Sequence, residues 1–335
     1  MMVSWAELEP ILCQVGILAI LAVSLNVICG VTGLLQLGHA GFYAAGAYAA
    51  GLYAIYFTVP SLGWLNFLPG MLAAVVVAML LALIVGIPCL RLRGDYLAIV
   101  TLAFGEIVRL LLTNMEFPGG KMFAGERIGG PTGIAFTECP GDLWPRFPEY
   151  SADYSRLWIV WLAVLLTYVV LRNIKHSSVG RAFMCIREDE VAARAMGIHV
   201  PRYKITAFVL SAAFAGLAGS LFFHLQLRVS PSNFTLLKSI EVLLVVVLGG
   251  MGSLLGSVCG AVVLGLLPYL MRHIDFSGAG WLPNAMRRPL SEYNMILYAL
   301  LLIVLIRLMP EGILGMHETP RWMRRRRRGR GEYTA

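Results

Sequence analysis

The sequence has 335 residues, of which 58% are hydrophobic and only 14% are charged, and its formal net charge is +8. A soluble globular domain carries roughly 25% charged residues, so this composition excludes a soluble protein. The basic residues cluster in segments 172–204 and 307–330, as they do on the cytoplasmic side of membrane proteins, so the charge indicates membrane sidedness rather than nucleic-acid binding.

Eight apolar segments are long enough to cross a bilayer, which requires about 20 helical residues. The predicted spans are residues 9–29, 38–57, 68–90, 95–113, 156–174, 204–226, 240–271 and 293–309. The sequence therefore predicts an all-α polytopic membrane protein with about 8–10 transmembrane or half-spanning helices.

Two of the apolar segments are broken by glycine. Segment 240–271 contains Gly249, Gly250 and Gly252, and each arm is short for a crossing, so we predict a helical hairpin or two half-helices buried in protein. Residues 30–46 are similarly rich in glycine. Broken segments in both halves of a chain are typical of transporters that bind their solute near the bilayer midplane.

The positive clusters predict the topology. Two arginines follow the third span, which places that end in the cytoplasm and makes residues 114–156 an external loop. The fifth span then returns to a cytoplasmic loop, residues 175–203. We therefore predict a transmembrane permease domain over residues 1–316 and a basic cytoplasmic tail over residues 317–335.

No enzymatic motif occurs in the sequence. It has no GxxxxGK[ST] phosphate loop, no HExxH and no GxSxG, and none of its six cysteines forms a CxxC pair. The sequence thus predicts no enzyme activity, no cofactor and no metal site. Uphill transport would need an ATPase partner or an ion gradient.

Ionisable side chains are scarce within the predicted spans, and those present are candidates for a solute path. The candidates are His39, Glu106, Arg109 and Glu241. Glu106 and Arg109 have i, i+3 spacing, so they can neutralise each other on one helix face, or one of them can face the solute. His39 lies among glycines and fits a packed, hydrogen-bonded histidine better. This set is thin for an ion-coupled carrier.

The most polar passage between spans is residues 177–204. We predict a short helix over residues 187–196, with acidic residues 188–190 in its first turn and Gly197 at its C-terminal end. A small apolar face fits either a groove in a partner or the membrane surface. The face comprises Ala192, Ala195 and Met196.

Residues 190–197, EVAARAMG, resemble the EAA loop of ABC importer permeases. The wider sequence resembles the LivM-type permeases of branched-chain amino acid ABC importers, with matches in the family's order over nearly the whole chain. The main stretches are LNVICGVTGLLQLGHAGFYAAGAY (25–48), RLRGDYLAIVTLAFGEIVR (91–109), SVGRAFMCIREDEVAARAMGI (178–198) and SPSNFTLLKSIEVLLVVVLGGMGSLLGSVCGA (230–261). The resemblance implies that Glu190, Ala192, Ala193 and Gly197 belong to a coupling helix that docks on an ATPase.

The resemblance also implies a function and a set of partners. We expect a bacterial inner-membrane permease subunit for leucine, isoleucine and valine, working with a LivH-type sister permease, two ATP-binding cassette subunits and a periplasmic substrate-binding protein. Permeases for urea or short amides are similar, and an ion-coupled amino acid carrier or a membrane scaffold without transport are alternatives of other classes. Residues 321–333, RWMRRRRRGRGEY, extend past the shared region, and we expect them to lie near anionic lipid headgroups.

Overall fold

The computed structural model describes residues 5–57, 66–89, 94–118, 127–135, 152–273 and residue 307. The predicted span 293–309, apart from residue 307, and the predicted tail 317–335 lie outside these ranges. The α-helices within them are α1 (Trp5–Asn26), α2 (His39–Phe57), α3 (Phe67–Cys89), α4 (Asp95–Asn114), α5 (Ala152–His176), α6 (Ser178–Glu188), α7 (Glu190–Ala195), α8 (Val200–Gln226), α9 (Leu236–Gly249) and α10 (Leu254–His273).

Strands in the described residues are short and lie in or beside the predicted external loop. Strand β1 (Glu116–Pro118) pairs antiparallel with β2 (Arg127–Gly129), and β3 (Ile134–Ala135) pairs antiparallel with β4 (Arg228–Val229). The second pairing joins the loop to the residues that follow α8. The helices therefore account for the membrane part of the fold, as predicted.

Five helical segments in the described residues are long and apolar enough to cross a membrane, or up to six if the bent α9–α10 pair counts as one span. The five are Leu8–Val31, Phe67–Pro88, Tyr96–Asn114, Arg156–His176 and Val200–Gln226. This pattern confirms a polytopic α-helical membrane protein. Helix α2 occupies the predicted span 38–57 but is not among the five.

Helix α1 lies at the centre of the described bundle. In its apolar window 83% of the residues are buried within the protein, compared with 22% in both α4 and α5. A helix that is apolar all round and buried belongs to the interior of a bundle. The outer helices, by contrast, present leucine, isoleucine and valine outward, as a surface in contact with lipid or another subunit requires.

The predicted break in segment 240–271 is confirmed, although α10, with 20 residues, is longer than the short arm expected. Helices α9 and α10 bend by 119° at a short break, and the glycines on both sides let the two backbones touch. A Cβ atom at Gly249 would collide with the backbone of Gly256, and one at Gly260 would lie 2.7 Å from the Val245 carbonyl oxygen. Small residues thus hold the hairpin together by close packing, which replaces the hydrophobic drive that lipid does not supply.

The glycine-rich segment after α1 is also broken. Helix α1 widens into a π-turn at Val27–Val31, residues 32–38 are not helical, and α2 begins at His39. Neighbouring helices satisfy the freed backbone: the Leu37 N–H donates to Thr101 Oγ1 at 3.1 Å, and the Ala40 N–H donates to Ser239 Oγ at 3.0 Å. Irregular backbone at membrane depth is tolerated only with such partners.

Candidate functional site

The predicted single helix over residues 187–196 is wrong, because the chain breaks at Asp189. Asp189 is extended, with φ −161° and ψ 117°, and its Oδ1 accepts hydrogen bonds from the N–H groups of Val191 at 2.7 Å and Ala192 at 3.2 Å. A carboxylate that binds these otherwise unpaired N–H groups starts a new helix. Glu188 therefore ends α6, and Glu190 is the first residue of α7.

The predicted end of this helix at Gly197 is confirmed. Gly197 has φ +81°, a conformation that costs other residues strain,. Its N–H donates to the Arg194 carbonyl at 3.0 Å, and the Ile198 N–H donates to the Ala193 carbonyl at 3.0 Å. These two bonds form a Schellman motif, which satisfies the last carbonyl groups of α7.

Two residues attach α7 to the neighbouring helices. Glu190 Oε1 lies 2.5 Å from Nζ of Lys204 on α8, and its Oε2 lies 3.5 Å from Arg194 on α7. Ala193 is buried and packs with Ile186 and Val200. Glu190 and Ala193 therefore lie on the inner side of α7 and do not form its exposed face.

The outer side of α7 is apolar and open. Val191 is 66% exposed and Met196 is 83% exposed, and Ala192 and Ala195 are exposed between them. This confirms the predicted face and adds Val191 to it. A short, fixed helix with a low-relief apolar surface can lie in a groove of another protein.

His39 begins α2 in a buried polar pocket of the break. Its Nε2 lies 3.0 Å from Ser24 Oγ, which supports the interpretation of a packed, hydrogen-bonded side chain. Its Nδ1 has no hydrogen-bond partner among the residues that the structure describes. Three residues earlier, Gln36 is 1% exposed, and within the described part of the chain neither polar atom of its side-chain amide has a partner. Sequence reasoning missed Gln36, although its place in the glycine-rich break was visible.

Glu106 and Arg109 pair on α4, as their spacing predicts. Arg109 Nε donates to Glu106 Oε1 at 2.9 Å, and the two side chains remain 26% (Arg109) and 40% (Glu106) exposed. The pair thus neutralises itself while facing away from the core of the described bundle. Because ionisable groups at membrane depth avoid lipid, this face of α4 suits contact with water or another subunit.

Glu241 is held on α9 by Lys238, whose Nζ donates to its Oε2 at 3.0 Å. The first turn of α2 touches α9 through Ala40 and Ser239, and the break touches α4 where Gly38 packs on Gly105. In the part of the chain that the structure describes, however, no hydrogen bond or ion pair connects His39, the α4 pair and Glu241 with one another. The four candidates occupy three separate positions around the break.

Comparison with known proteins gives a consistent set of relatives. The model of a family described as "Branched-chain amino acid transport system / permease component" matches residues 8–306. The high-affinity branched-chain amino acid transport system permease protein LivM of Escherichia coli is 40% identical over 311 residues, which cover 89% of this chain and 67% of the relative.

Two more distant relatives match as well. A probable branched-chain amino acid transport permease protein LivM of Methanocaldococcus jannaschii is 25% identical over 255 residues, or 73% of this chain and 68% of the relative. The permease protein LivH of Escherichia coli is 24% identical over 306 residues, or 90% of this chain and 92% of the relative. No solved structure matches the chain at comparable significance.

Proposed function

This chain belongs to the family of permease components of branched-chain amino acid transport systems, and from that membership we propose that it is the LivM-type membrane subunit of an ABC importer for leucine, isoleucine and valine. The protein contributes no nucleotide chemistry of its own. Partner ATPases supply the energy, and the permease converts their motion into movement of the solute.

The observation that carries this proposal is the construction of α7. The helix is fixed on its inner side by Glu190 and Ala193, and it presents an exposed apolar face on its outer side. We assign α7, from Glu190 to the stop at Gly197, as the coupling helix that docks on an ATP-binding cassette. Ala192 contributes to the docking face, whereas Ala193 and Gly197 keep the helix in place.

The same assignment defines the two sides of the membrane. Residues 175–203 form the cytoplasmic coupling loop, residues 114–156 form the external loop, and the permease domain extends over residues 1–316. The basic tail 317–335 lies on the cytoplasmic side near lipid headgroups. Support comes from the basic residues at the end of α5, because lysine and arginine favour the cytoplasmic side.

The solute path passes the break between α1 and α2. Branched-chain amino acids are zwitterions with an apolar side chain, so the path needs polar groups without fixed net charge. The amide of Gln36, which has no partner among the described residues, and the hydrogen-bonded side chains of His39 and Ser24 supply such groups at the break. The self-neutralised pair of Glu106 and Arg109 supplies them on the outer face of α4. Glu241, paired with Lys238, lies at the α9 side of the path.

The complete importer contains four kinds of subunit. A LivH-type sister permease completes the membrane channel, two ATP-binding cassettes bind on the cytoplasmic side, and a periplasmic binding protein delivers the solute. The similarity of this chain to both LivM and LivH supports a pair of related permeases.

The test is uptake of labelled leucine by proteoliposomes that contain the full complex. ATP is supplied on the side of the membrane that the ATP-binding cassettes face. We expect uptake that requires ATP and the binding protein, persists when ionophores collapse ion gradients, and is inhibited by isoleucine and valine. If urea and short amides inhibit leucine uptake and isoleucine and valine do not, the substrate is instead urea or a short amide. Uptake that depends on an ion gradient would contradict the ABC mechanism.

A further inference from the structure

The turn between α9 and α10, residues 250–253, is held by a side chain from α1. Asn26 Oδ1 accepts a hydrogen bond from the Gly252 N–H at 2.7 Å. Its Nδ2 donates to the Ser253 carbonyl at 2.7 Å and to Ser257 Oγ at 2.6 Å. The amide uses both its donor and acceptor groups on the hairpin, so the hairpin cannot shift relative to α1 without breaking these bonds.

A cationic side chain from the coupling loop binds the same turn. Lys175, in the last turn of α5, donates from Nζ to the Gly252 carbonyl at 2.7 Å. Both backbone polar groups of Gly252 are therefore bound by side chains, one from α1 and one from α5. Hydrogen bonds from a charged donor are roughly twice as strong as neutral ones.

A second cationic side chain joins α6 to the end of α1. Arg187 Nη1 donates to the Gly30 carbonyl in the π-turn. A π-turn departs from the regular helical bonding pattern, and such turns occur frequently at functional sites. Arg187 lies two residues before Asp189, the cap of α7, so this bond is next to the coupling helix along the chain.

Glycine residues allow these three segments to come into contact. A Cβ atom at Gly33 would lie 2.8 Å from Cγ of Arg187, and one at Gly252 would lie 3.2 Å from Arg187 Nη1. A Cβ atom at Gly30 would collide with Asn26 and with the Gly252 N–H. The coupling loop, the end of α1 and the hairpin turn therefore pack so closely that a side chain at these glycine positions would not fit without displacing its neighbours.

We propose that Asn26, Lys175 and Arg187 form a clamp that transmits movement of the coupling loop to the α9–α10 hairpin. The proposal rests on the proposed function, because it requires that α7 receives force from an ATPase. These are positioning residues: Lys175 and Arg187 lie beside and within the loop that bears α7, and Asn26 ties the hairpin turn to the central helix. When α7 moves, α6 and the end of α5 pull on Gly30 and Gly252, and the hairpin follows.

A clamp that only supports folding would have a different consequence. Loss of a folding contact lowers the amount of assembled complex, so ATP hydrolysis and uptake fall together. Loss of a transmitting contact leaves ATP hydrolysis intact and lowers the leucine transported for each ATP. The ratio of uptake to hydrolysis therefore separates the two roles.

The experiment uses the full complex in proteoliposomes, with leucine uptake and ATP hydrolysis measured on the same preparation. The variants are Lys175→Met and Arg187→Met, which keep the aliphatic stems but remove the donors, and Lys175→Arg, which keeps a charged donor. Arg172→Met is the matched control, because Arg172 is exposed one turn earlier on α5, outside the clamp.

We expect leucine transported per ATP to fall by about tenfold in Lys175→Met and Arg187→Met, within the range of couplings changed by single residues. Hydrolysis stays near wild type, Lys175→Arg recovers much of the ratio, and Arg172→Met matches wild type. If Arg187→Met does not accumulate, Lys175→Met decides alone, since Lys175 is half-buried at a helix end. An unchanged ratio in Lys175→Met would overturn the clamp. Absence of ATP-driven leucine uptake in the wild-type complex would instead overturn the proposed function.

Discussion

Glu190, the first residue of α7, forms an ion pair with Lys204 of α8, with 2.5 Å between Oε1 and Nζ. The lysine side chain is 5% exposed and the glutamate side chain is 22% exposed, so the pair is largely desolvated. Because α8 is a predicted membrane span, the pair attaches the exposed helix directly to a transmembrane helix. Displacement of α7 therefore acts directly on α8, through this pair and through Ala193, which packs with Val200.

Replacing the lysine should loosen α7. In Lys204→Met, Glu190 keeps its charge but loses its buried partner, and we expect a loss of about 1–3 kcal/mol in the local stability of α7. Amide hydrogen exchange of Gly197 and Ile198, whose N–H groups end the helix, should accelerate by about tenfold or more. Glu190→Lys places a second cation beside Lys204 and should uncouple transport.

Arg194→Met is the control for this prediction. Arg194 contacts the other carboxylate oxygen of Glu190 at 3.5 Å but is half-exposed, and such surface pairs contribute about 0–1 kcal/mol. Exchange in α7 should stay close to wild type. Equal acceleration in Arg194→Met and Lys204→Met would show that the buried pair has no special part in holding α7.

Gly197 should be replaceable only by residues that tolerate a positive φ. A Cβ atom at this position meets no atom of the described residues within 4 Å. The cost of Gly197→Val therefore comes from its φ of +81°, about 1–2 kcal/mol. We expect Gly197→Val to lower leucine uptake per ATP with normal membrane levels. Gly197→Asn, which accepts this conformation more readily, should stay near wild type. Equal uptake per ATP in both variants would show that the conformation at the end of α7 has no part in coupling.

The sequence predicted the features that local chemistry determines. Gly197 ends α7 because glycine adopts its positive φ most readily, and the glycines after Val247 break the apolar run into α9 and α10. The break at Asp189 was missed because three acidic residues in a row suit the first turn of one long helix equally well. The signal was present, since aspartate is among the best N-cap residues.

The contacts between distant segments could not be predicted. Lys204 meets Glu190 only because α8 turns back beside α7, and Asn26 meets Gly252 across 226 positions of sequence. Neither pair has a local pattern, so their positions depend on how the helices pack. The pairing of Glu106 with Arg109 could be predicted, because they carry opposite charges at i, i+3 spacing on one helix.

Gln36 provides a test of the solute path. Burying a polar group without a partner costs about 1–3 kcal/mol, so Gln36→Leu should raise the thermal stability of the complex. If the amide contacts leucine during transport, the same variant lowers uptake, giving a more stable but less active protein. Gln14→Leu is the control, because Gln14 is exposed on α1. A stabilised variant with normal uptake would exclude Gln36 from the path.

The α4 pair can be tested with a double variant. Glu106→Gln and Arg109→Met each leave one charge without its partner, and both should impair uptake. If the pair only neutralises itself, the double variant regains wild-type uptake. We expect the double variant to remain about tenfold lower in kcat/KM for leucine, since a polar contact to the solute of about 1.4 kcal/mol is lost. Full recovery of uptake in the double variant would show that the pair only neutralises itself and does not contact the solute.

The central claim is that the exposed face of α7 docks on an ATPase in the cytoplasm. A photoreactive amino acid at position 196, where Met196 is 83% exposed, should cross-link to the ATP-binding cassette in membranes containing the full complex. The same amino acid at position 228, where Arg228 is exposed beyond the opposite end of α8, should give no such product. A cross-link from 196 alone is the predicted result; its absence, or a cassette cross-link from 228, would contradict the account.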